Sequence, residues 1–431
     1  MQTQIAEPLQ HTDIGSEAEA ILRKCVHCGF CLATCPTYQL TGNELDSPRG
    51  RIYLLKQLFE GKPVSRDTQQ HLDRCLSCRS CETTCPASVN YHRLVEIGTP
   101  LIEAEVPRSF KQRLLRRAIL SVLPYPDRFN PILKTARLIR PLLPNRLAKT
   151  VPPVAQPRIR QVDTQKPTDS KPAATLKPTA TSLSAINPKQ THRRMLLLEG
   201  CVQPGLAPEI NQAATRVLDH LGITLETAPA AGCCGALSYH LHQQKDGLDF
   251  MRRNIDAWWP LIEQGCEAIV ITASGCGTTI KEYGELLKND PDYADRADKI
   301  SALAADLVEV IAAEDLSNLN IQPDASLAFQ CPCSLQHGQQ LGGKVEALLK
   351  QLGFDMKPVR DNHICCGSAG TYSIFQPELA SELRNNKVQA LQDSGAQAYI
   401  SANIGCMTHL SQTADQAVKH WIQILDQALE N

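Results

Sequence analysis

The sequence predicts a multidomain α+β protein: an N-terminal α-helical domain, a linker, and two copies of an α/β unit. Three observations predict it. The pattern C-x2-C-x2-C-x3-C-P occurs twice, as Cys25, Cys28, Cys31, Cys35, Pro36 and as Cys75, Cys78, Cys81, Cys85, Pro86. Residues 151–191 hold seven prolines and show no apolar period. Beyond residue 192, short apolar runs alternate with helical patterns, and their cysteines recur at a nearly fixed offset.

The N-terminal unit, residues 1–105, is built around its cysteines. Four thiolates at this spacing wrap one iron–sulfur cube, and the last cysteine of each run ligates the other cube. That rule assigns Cys25, Cys28, Cys31 and Cys85 to one [4Fe-4S] cluster, and Cys75, Cys78, Cys81 and Cys35 to a second. A lone C-x2-C is a weak signal; two complete runs are a specific one. Residues 1–15 are polar and are expected to be mobile. Residues 16–24 read as a short helix. Ser47-Pro48-Arg49-Gly50-Arg51 opens another, with Pro48 in its first turn and Ile52, Leu54, Leu55 and Leu58 at helical spacing.

Residues 106–150 carry eleven Lys or Arg and a single acid, Asp127. Leu114, Leu115, Ile119, Leu120, Ile132, Leu133, Leu138 and Ile139 sit among the charges. Two uses fit a pair of basic amphipathic helices. One is contact with an anionic membrane surface. The other, more general for such patterns, is packing on a partner or on the protein's own domains. Residues 151–191, rich in Pro, Thr, Ser and Lys, read as a disordered or extended linker.

The α/β units are expected at 192–322 and 323–431. Residues 195–198 and 268–273 read as buried strands with a helix over 208–221, and 326–329 and 398–401 repeat the strand roles. The duplication is visible in the cysteines. Cys201, Cys233, Cys234 and Gly235 recur 132 residues later as Cys333, Cys365, Cys366 and Gly367, and Cys276 recurs 130 residues later as Cys406. Such a repeat predicts two similar lobes. Ligands gather at the carboxyl ends of parallel strands, so each lobe is expected to collect its four cysteines in one cleft. Three readings of each set stay open: a further iron–sulfur centre, a zinc held by four thiolates, or free redox thiols. Iron is preferred, because two cubes are already implied. The second lobe is the preferred metal site, since Cys331 and His409 lie beside it as spare donors. Cys266 and Cys331 have no repeat partner and read as buried thiols. His409 reads as a surface helix residue, and His337 and His363 as flanking groups.

Composition narrows the function. A net charge of -1 gives no case for nucleic acid. Eighteen cysteines, sixteen of them in metal-ligand spacings, imply a reducing, cytoplasmic setting. No apolar stretch is long enough to span a bilayer, so any membrane association is expected to be peripheral, on the inner face. No G-x-G-x-x-G or G-x-x-x-x-G-K-[ST] is present. Cubane clusters move single electrons, and two-electron substrate oxidation belongs to other cofactors. The chain therefore reads as an electron-transfer subunit with no catalytic residue of its own. A disulfide reductase acting through the Cys-Cys-Gly lobes, and a zinc-stabilised scaffold, are the competing classes.

The double cysteine run, the linker and the two CCG lobes resemble the iron–sulfur subunits of glycolate oxidase (glycolate dehydrogenase). The segment Ser47-Pro48-Arg49-Gly50-Arg51-Ile52-Tyr53 is similar to that family's inter-cluster segment, as are Gly232-Cys233-Cys234-Gly235-Ala236 and Cys365-Cys366-Gly367-Ser368-Ala369-Gly370. Parts are shared with heterodisulfide reductase, anaerobic glycerol-3-phosphate dehydrogenase and lactate-utilisation proteins, which supply the alternative assignments. The resemblance implies a ferredoxin-type first domain, FAD-bearing partner subunits, oxidation of glycolate to glyoxylate by the complex, and a quinone-type acceptor. One departure stands out. Heterodisulfide reductase lobes end in C-x-x-C, whereas here the ends are Cys276-Gly277-Thr278-Thr279 and Cys406-Met407-Thr408-His409, leaving four thiolates per lobe.

Overall fold

The computed structural model describes residues 1–142 and 193–429. The linker expected at 151–191 and the end of the basic segment lie outside the described residues.

The first domain is helical, with α1 (Asp13–Lys24), α2 (Pro48–Phe59), α3 (Arg66–Asp73) and α4 (Tyr91–Glu105). Helix α2 starts where the sequence places it. The Ser47 hydroxyl accepts from the Gly50 N–H, and Pro48 occupies the first turn, where no N–H is needed. Ile52, Leu55, Leu58 and Phe59 share one core with Leu22 of α1 and with Leu94, Ile97 and Ile102 of α4. Helix α4 approaches closely enough that a Cβ on Gly98 would meet Leu55 Cδ2 at 2.4 Å. The first fifteen residues are not loose. The Met1 ammonium donates to the Cys25 carbonyl at 2.6 Å, and Ala6 N–H donates to Phe59 O at 2.8 Å. Buried Ile5 anchors the strand of chain between them. These are tertiary contacts that local polarity does not reveal.

The basic segment forms α5 (Phe110–Val122) and α6 (Pro126–Ile139). Its inner face packs on the protein itself. Arg108, just before α5, makes a bidentate pair with Asp73 at 2.6 and 2.7 Å. The Arg116 guanidinium lies 5.0 Å from the Phe375 ring centre, and the Tyr125 ring meets Phe250 at a tilt, their centres 5.6 Å apart. The outer face leaves Phe110, Leu114, Leu115, Leu138 and Ile139 exposed. No helix among the described residues is long and apolar enough to cross a membrane.

The first lobe contains β1 (Arg193–Leu197), α7 (Glu209–His220), β2 (Ile223–Glu226), α8 (Gln244–Glu263), β3 (Ile269–Ile271), α9 (Ser274–Lys281) and β4 (Ala304–Asp306). The second repeats it with β5 (Ser326–Gln330), α10 (Lys344–Gln351), β6 (Asp355–Lys357), α11 (Pro377–Asp393), β7 (Ala398–Ser401), α12 (Ile404–Leu410), β8 (Lys419–His420) and α13 (Trp421–Ala428). Both sheets are parallel, in the orders β2-β1-β3-β4 and β6-β5-β7-β8. The chain direction of build-up reverses between β1 and β3, and again between β5 and β7. Those switch points open a crevice at the carboxyl ends of the strands.

One apolar core runs through both lobes. Ile210, Ala214, Val217 and Leu218 of α7 belong to the same cluster as Trp421, Ile422 and Leu425 of α13. Arg216 pairs with Asp426 across that contact at 2.6 Å. The His420 Nε2 donates to the Thr272 carbonyl at 2.9 Å.

Candidate metal centres

The two cysteine runs of the first domain sort into two sets. Cys25, Cys28, Cys31 and Cys85 line one small cavity of about 30 Å³, which Cys81 also touches. Cys35 is absent from that wall; it lies near enough to act on Cys78 and Cys81, alongside Cys75, and also on Cys31. Cys85 of the second run thus shares a cavity with three cysteines of the first. Donors surround the second set. Tyr91 Oη donates to Cys75 Sγ at 3.4 Å, and Ser77 N–H lies 3.4 Å from the same sulfur. Cys35 Sγ is 3.3 Å from Thr37 Oγ1.

Beneath this set lies a buried ion-pair knot. Asp46 is fully buried and meets His71 Nδ1 and Arg74 Nη1, each at 2.8 Å. Arg51, also fully buried, stands 3.7 Å from Asp46 and donates to Thr37 Oγ1 and the His71 carbonyl. Its positive charge faces Cys75 and Cys35, which suits a site that carries several thiolates. The sequence gives no sign of this role beyond placing Arg51 between the two runs.

In each lobe the topology brings the four cysteines together. Cys201 follows β1 and Cys276 lies in α9 after β3, on either side of the switch point, while Cys233 and Cys234 come from the loop after β2. Their sulfurs touch in the order 201, 233, 234, 276. Lobe two repeats the chain of contacts through Cys333, Cys365, Cys366 and Cys406, with Cys333 and Cys365 3.8 Å apart. Gly367 donates its N–H to Cys365 Sγ at 3.5 Å from a backbone with φ of 88°. A side chain there would be strained, and its Cβ would meet the Ala380 carbonyl at 2.6 Å.

The donor set consists of sulfur alone, which suits soft metals. A single zinc, about 2.3 Å from each sulfur, would hold its thiolates about 3.8 Å apart. Among the described residues, no three cysteine sulfurs lie mutually within 4.8 Å. Each lobe's sulfurs form an open chain of contacts, with Cys333 and Cys365 3.8 Å apart. Burial pushes the Cys78 and Cys81 thiols well up, and the Cys365 sulfur together with burial does the same to Cys333. Thiols in such surroundings ionise only beside a cationic centre. These residues fit iron–sulfur clusters.

The sets are not isolated from one another. Cys75 and Cys78, all four first-lobe cysteines, and Cys333, Cys365 and Cys406 line a single cavity of about 820 Å³ between the three domains. Cys78 also packs with Cys333 and Cys365 around Leu76 and Tyr372. Cys266 and Cys331 are buried and do not line this cavity, as expected of unpaired thiols. His409 is buried rather than on the surface. Its Nε2 donates to the Ala380 carbonyl at 3.2 Å, because α12 packs its whole inner side under α11. His337 is buried too, bonded to Thr83 and to the His363 carbonyl.

Asp73, Glu103 and His242 also gather within 4.8 Å of one another. The Arg108 guanidinium is paired with both carboxylates, and burial with Arg116 and Arg108 holds His242 neutral, its pKa down at about 3. That group is an ion-pair junction joining the first domain and the basic segment to the first lobe. It escapes sequence reading because its members come from distant segments.

Residues 21–89 match the 4Fe-4S dicluster domain family, and residues 195–281 and 327–411 each match the cysteine-rich CCG domain. The glycolate oxidase iron-sulfur subunit of Escherichia coli (strain K12) is 50% identical over 430 residues, covering 100% of both chains. The probable glycolate oxidase iron-sulfur subunit of Bacillus subtilis (strain 168) is 29% identical, covering 91% of this chain and 89% of its own. Lactate utilization protein A of Bacillus subtilis (strain 168) is 26% identical, covering 50% of this chain and 90% of its own. A crystal structure of a hypothetical protein from Helicobacter pylori shares the fold, with a TM-score of 0.53 at 11% identity, covering 98% of this chain and 74% of that one. A full-length match at this identity, carried by both cysteine runs and both lobes, places the chain in the family of glycolate oxidase iron–sulfur subunits.

Proposed function

We propose that this chain is the electron-relay subunit of a flavin-dependent glycolate dehydrogenase complex, taking electrons from an FAD-bearing partner that oxidises glycolate to glyoxylate and passing them to a quinone-type acceptor. Iron–sulfur clusters supply one-electron transfer when bound. The residues proposed to hold two [4Fe-4S] clusters are Cys25, Cys28, Cys31 and Cys85 for one, and Cys75, Cys78, Cys81 and Cys35 for the other. A further centre is proposed at Cys333, Cys365, Cys366 and Cys406, with the first-lobe set as a second candidate.

The observation that carries this reading is the convergence of the Cys75/Cys78 set and both lobe sets on one cavity. The second lobe stands nearer in the path, since Cys78 packs against Cys333 and Cys365. The protein's own groups hold and insulate that path. Arg51 supplies fixed positive charge, Tyr91 and Ser77 donate to sulfur, and the lobes bury Cys233, Cys234, Cys365 and Cys366. Attachment to an anionic membrane surface through the outer face of α5 and α6 is part of the proposal. It rests on the exposed Phe110, Leu114 and Leu115 beside Lys111, Arg113 and Arg117.

The test is reconstitution. The anaerobically prepared chain is added to flavoprotein partners reduced by glycolate, and reduction of a water-soluble one-electron dye is followed. A rate that depends on the chain and on its iron is the expected result. Equal dye reduction with and without the chain, or dependence on lactate in place of glycolate, would overturn the assignment.

A further inference from the structure

We propose that the exposed face of the first cysteine run, centred on Val26, Cys28 and Phe30, is the docking surface for the flavin-bearing partner, and that electrons enter the chain there. The proposal rests on the electron-relay reading above and gives that relay its entry point.

The two runs are one structure used twice. Each cysteine of the first recurs 50 residues later in the second. The backbones agree as well. His27 and Ser77 take φ of 56° and 49°, and Gly29 and Arg79 take 83° and 59°. What differs is what covers them. In the second run this face is occupied by the lobes. Leu76 is 7% exposed and packs with Cys365, Tyr372 and Leu383. Arg79 pairs with Glu282, and Thr83 meets His337 at 2.8 Å.

The same face of the first run is bare. Val26, the counterpart of Leu76, is 70% exposed, and Ala33, the counterpart of Thr83, is exposed too. Phe30 stands where the second run has buried Ser80, and it is 62% exposed. Cys28, the counterpart of the Cys78 that packs on the second lobe, is the one exposed cysteine among the described residues. Val26 and Phe30 also line the small cavity of the first cysteine set, so they form a thin wall between that centre and the surface. Lys24 and the Arg49–Glu44 pair, 2.7 Å apart, border the patch, and Arg49 Nη1 donates to the His27 carbonyl at 3.4 Å. An apolar centre inside a charged rim is the anatomy of a protein–protein interface. A redox protein seated here meets the first run as the second lobe meets the second.

The basic hairpin decides between donor and acceptor. It packs on the lobes, with Arg116 on Phe375 and Tyr125 against Phe250, and none of its residues lines the first-run cavity. The acceptor side proposed above therefore lies with the lobes, which leaves the first run to the donor. The step is electron transfer alone. The partner's reduced flavin loses one electron, and the centre held by Cys25, Cys28, Cys31 and Cys85 gains it. Two such steps carry the pair taken from each glycolate. The protons go to solvent, and no bond across the interface forms or breaks.

The test uses the full, iron-loaded chain and the purified flavin-bearing partner, with affinity measured by calorimetric titration and flavin reoxidation by stopped flow. Phe30→Glu puts a charge at the centre of the patch. Ala33→Arg adds bulk on the same face, at a residue that does not line the cavity. Each is expected to weaken binding at least about tenfold, as for a residue central to an interface. Reoxidation should slow at subsaturating chain, while iron content and flavin reduction by glycolate stay unchanged. If Phe30→Glu loses iron, Ala33→Arg decides alone. Wild-type affinity in the variants overturns the proposal. So does a wild-type dimer, seen by sedimentation, that the variants dissociate, because it gives the face to a second copy. Dye reduction by the wild-type complex with unchanged variant affinity would leave the relay standing and remove this face. Weakened variant binding with no chain-dependent dye reduction by the wild type would keep the docking face and remove the relay.

Discussion

Oγ1 of Thr83 lies 2.8 Å from Nδ1 of His337. Nε2 of the same ring donates to the His363 carbonyl at 3.0 Å, so Nδ1 is the acceptor and Thr83 the donor. The imidazole thereby fastens the turn between Cys81 and Cys85 to the turn after Cys333. Thr83→Val leaves a buried nitrogen without a donor and should cost about 1–3 kcal/mol. Thermal unfolding of the iron-loaded chain measures it; an unchanged midpoint would mean that this contact does not hold the domains together.

Cys85→Ser should damage the centre whose other ligands lie some sixty residues upstream, and Cys35→Ser the centre held by the second run. Each variant should lose about four irons. Iron analysis with paramagnetic resonance of the reduced protein distinguishes them. If Cys85→Ser disturbs the Cys75, Cys78 and Cys81 centre instead, the exchange of fourth ligands is wrong.

In the lobes, Cys366→Ser should abolish chain-dependent acceptor reduction while glycolate still reduces the partner flavin. Cys234→Ser should do less, because Cys333 and Cys365, not the first-lobe thiols, pack against Cys78. Stopped-flow traces of flavin and acceptor give both readings. Normal acceptor reduction with unchanged iron in Cys366→Ser would place the lobe outside the electron path.

Arg116 points inward at Phe375, so a charge test of α5 must use its outer residues. Reversing Lys111, Arg113 and Arg117 to Glu should release the protein from anionic liposomes at moderate salt, each basic residue contributing about 1 kcal/mol. Sedimentation with vesicles reports it. Unchanged binding would confine the hairpin to its internal contacts.

Asp306 ties the lobes together: it is fully buried, caps the helix that follows it, and accepts from Gln339 Nε2 at 3.1 Å. Burial pushes its pKa up to about 7. The folded state therefore holds a proton that the unfolded chain, near pKa 3.9, has released. The stability from this group is fully present below about pH 4 and is lost as pH rises through about 7. Asp306→Asn should flatten the fall in stability between about pH 4 and pH 7, measured by denaturant titration. A variant with the same slope as the wild type would show that Asp306 does not set it.

The features legible in the sequence are those written in spacing. The cysteine runs, the offset between lobes, the Ser47–Pro48 helix start and the Arg193 and Ser326 strand regions all follow from local pattern. The strands β2, β4, β6 and β8 are short; Asp355-Met356-Lys357 has two charges in three residues, and only pairing beside β5 makes it a strand. The docking of Met1, the burial of His409 and the Asp46–Arg51 knot depend on contacts between segments far apart. So does the meeting of three cysteine sets in one cavity, which no single-segment pattern encodes.

The shared core of α7 and α13 has a consequence for the history of the repeat. The first lobe keeps a core of its own around Trp258 and Tyr283, but both copies also supply walls of one shared interior. A duplicated lobe held up this way can lose or alter its sulfur ligands without unfolding. Selection on redox chemistry is then uncoupled from selection on foldability, and the two halves are free to become unequal partners: one conducting, the other a buttress.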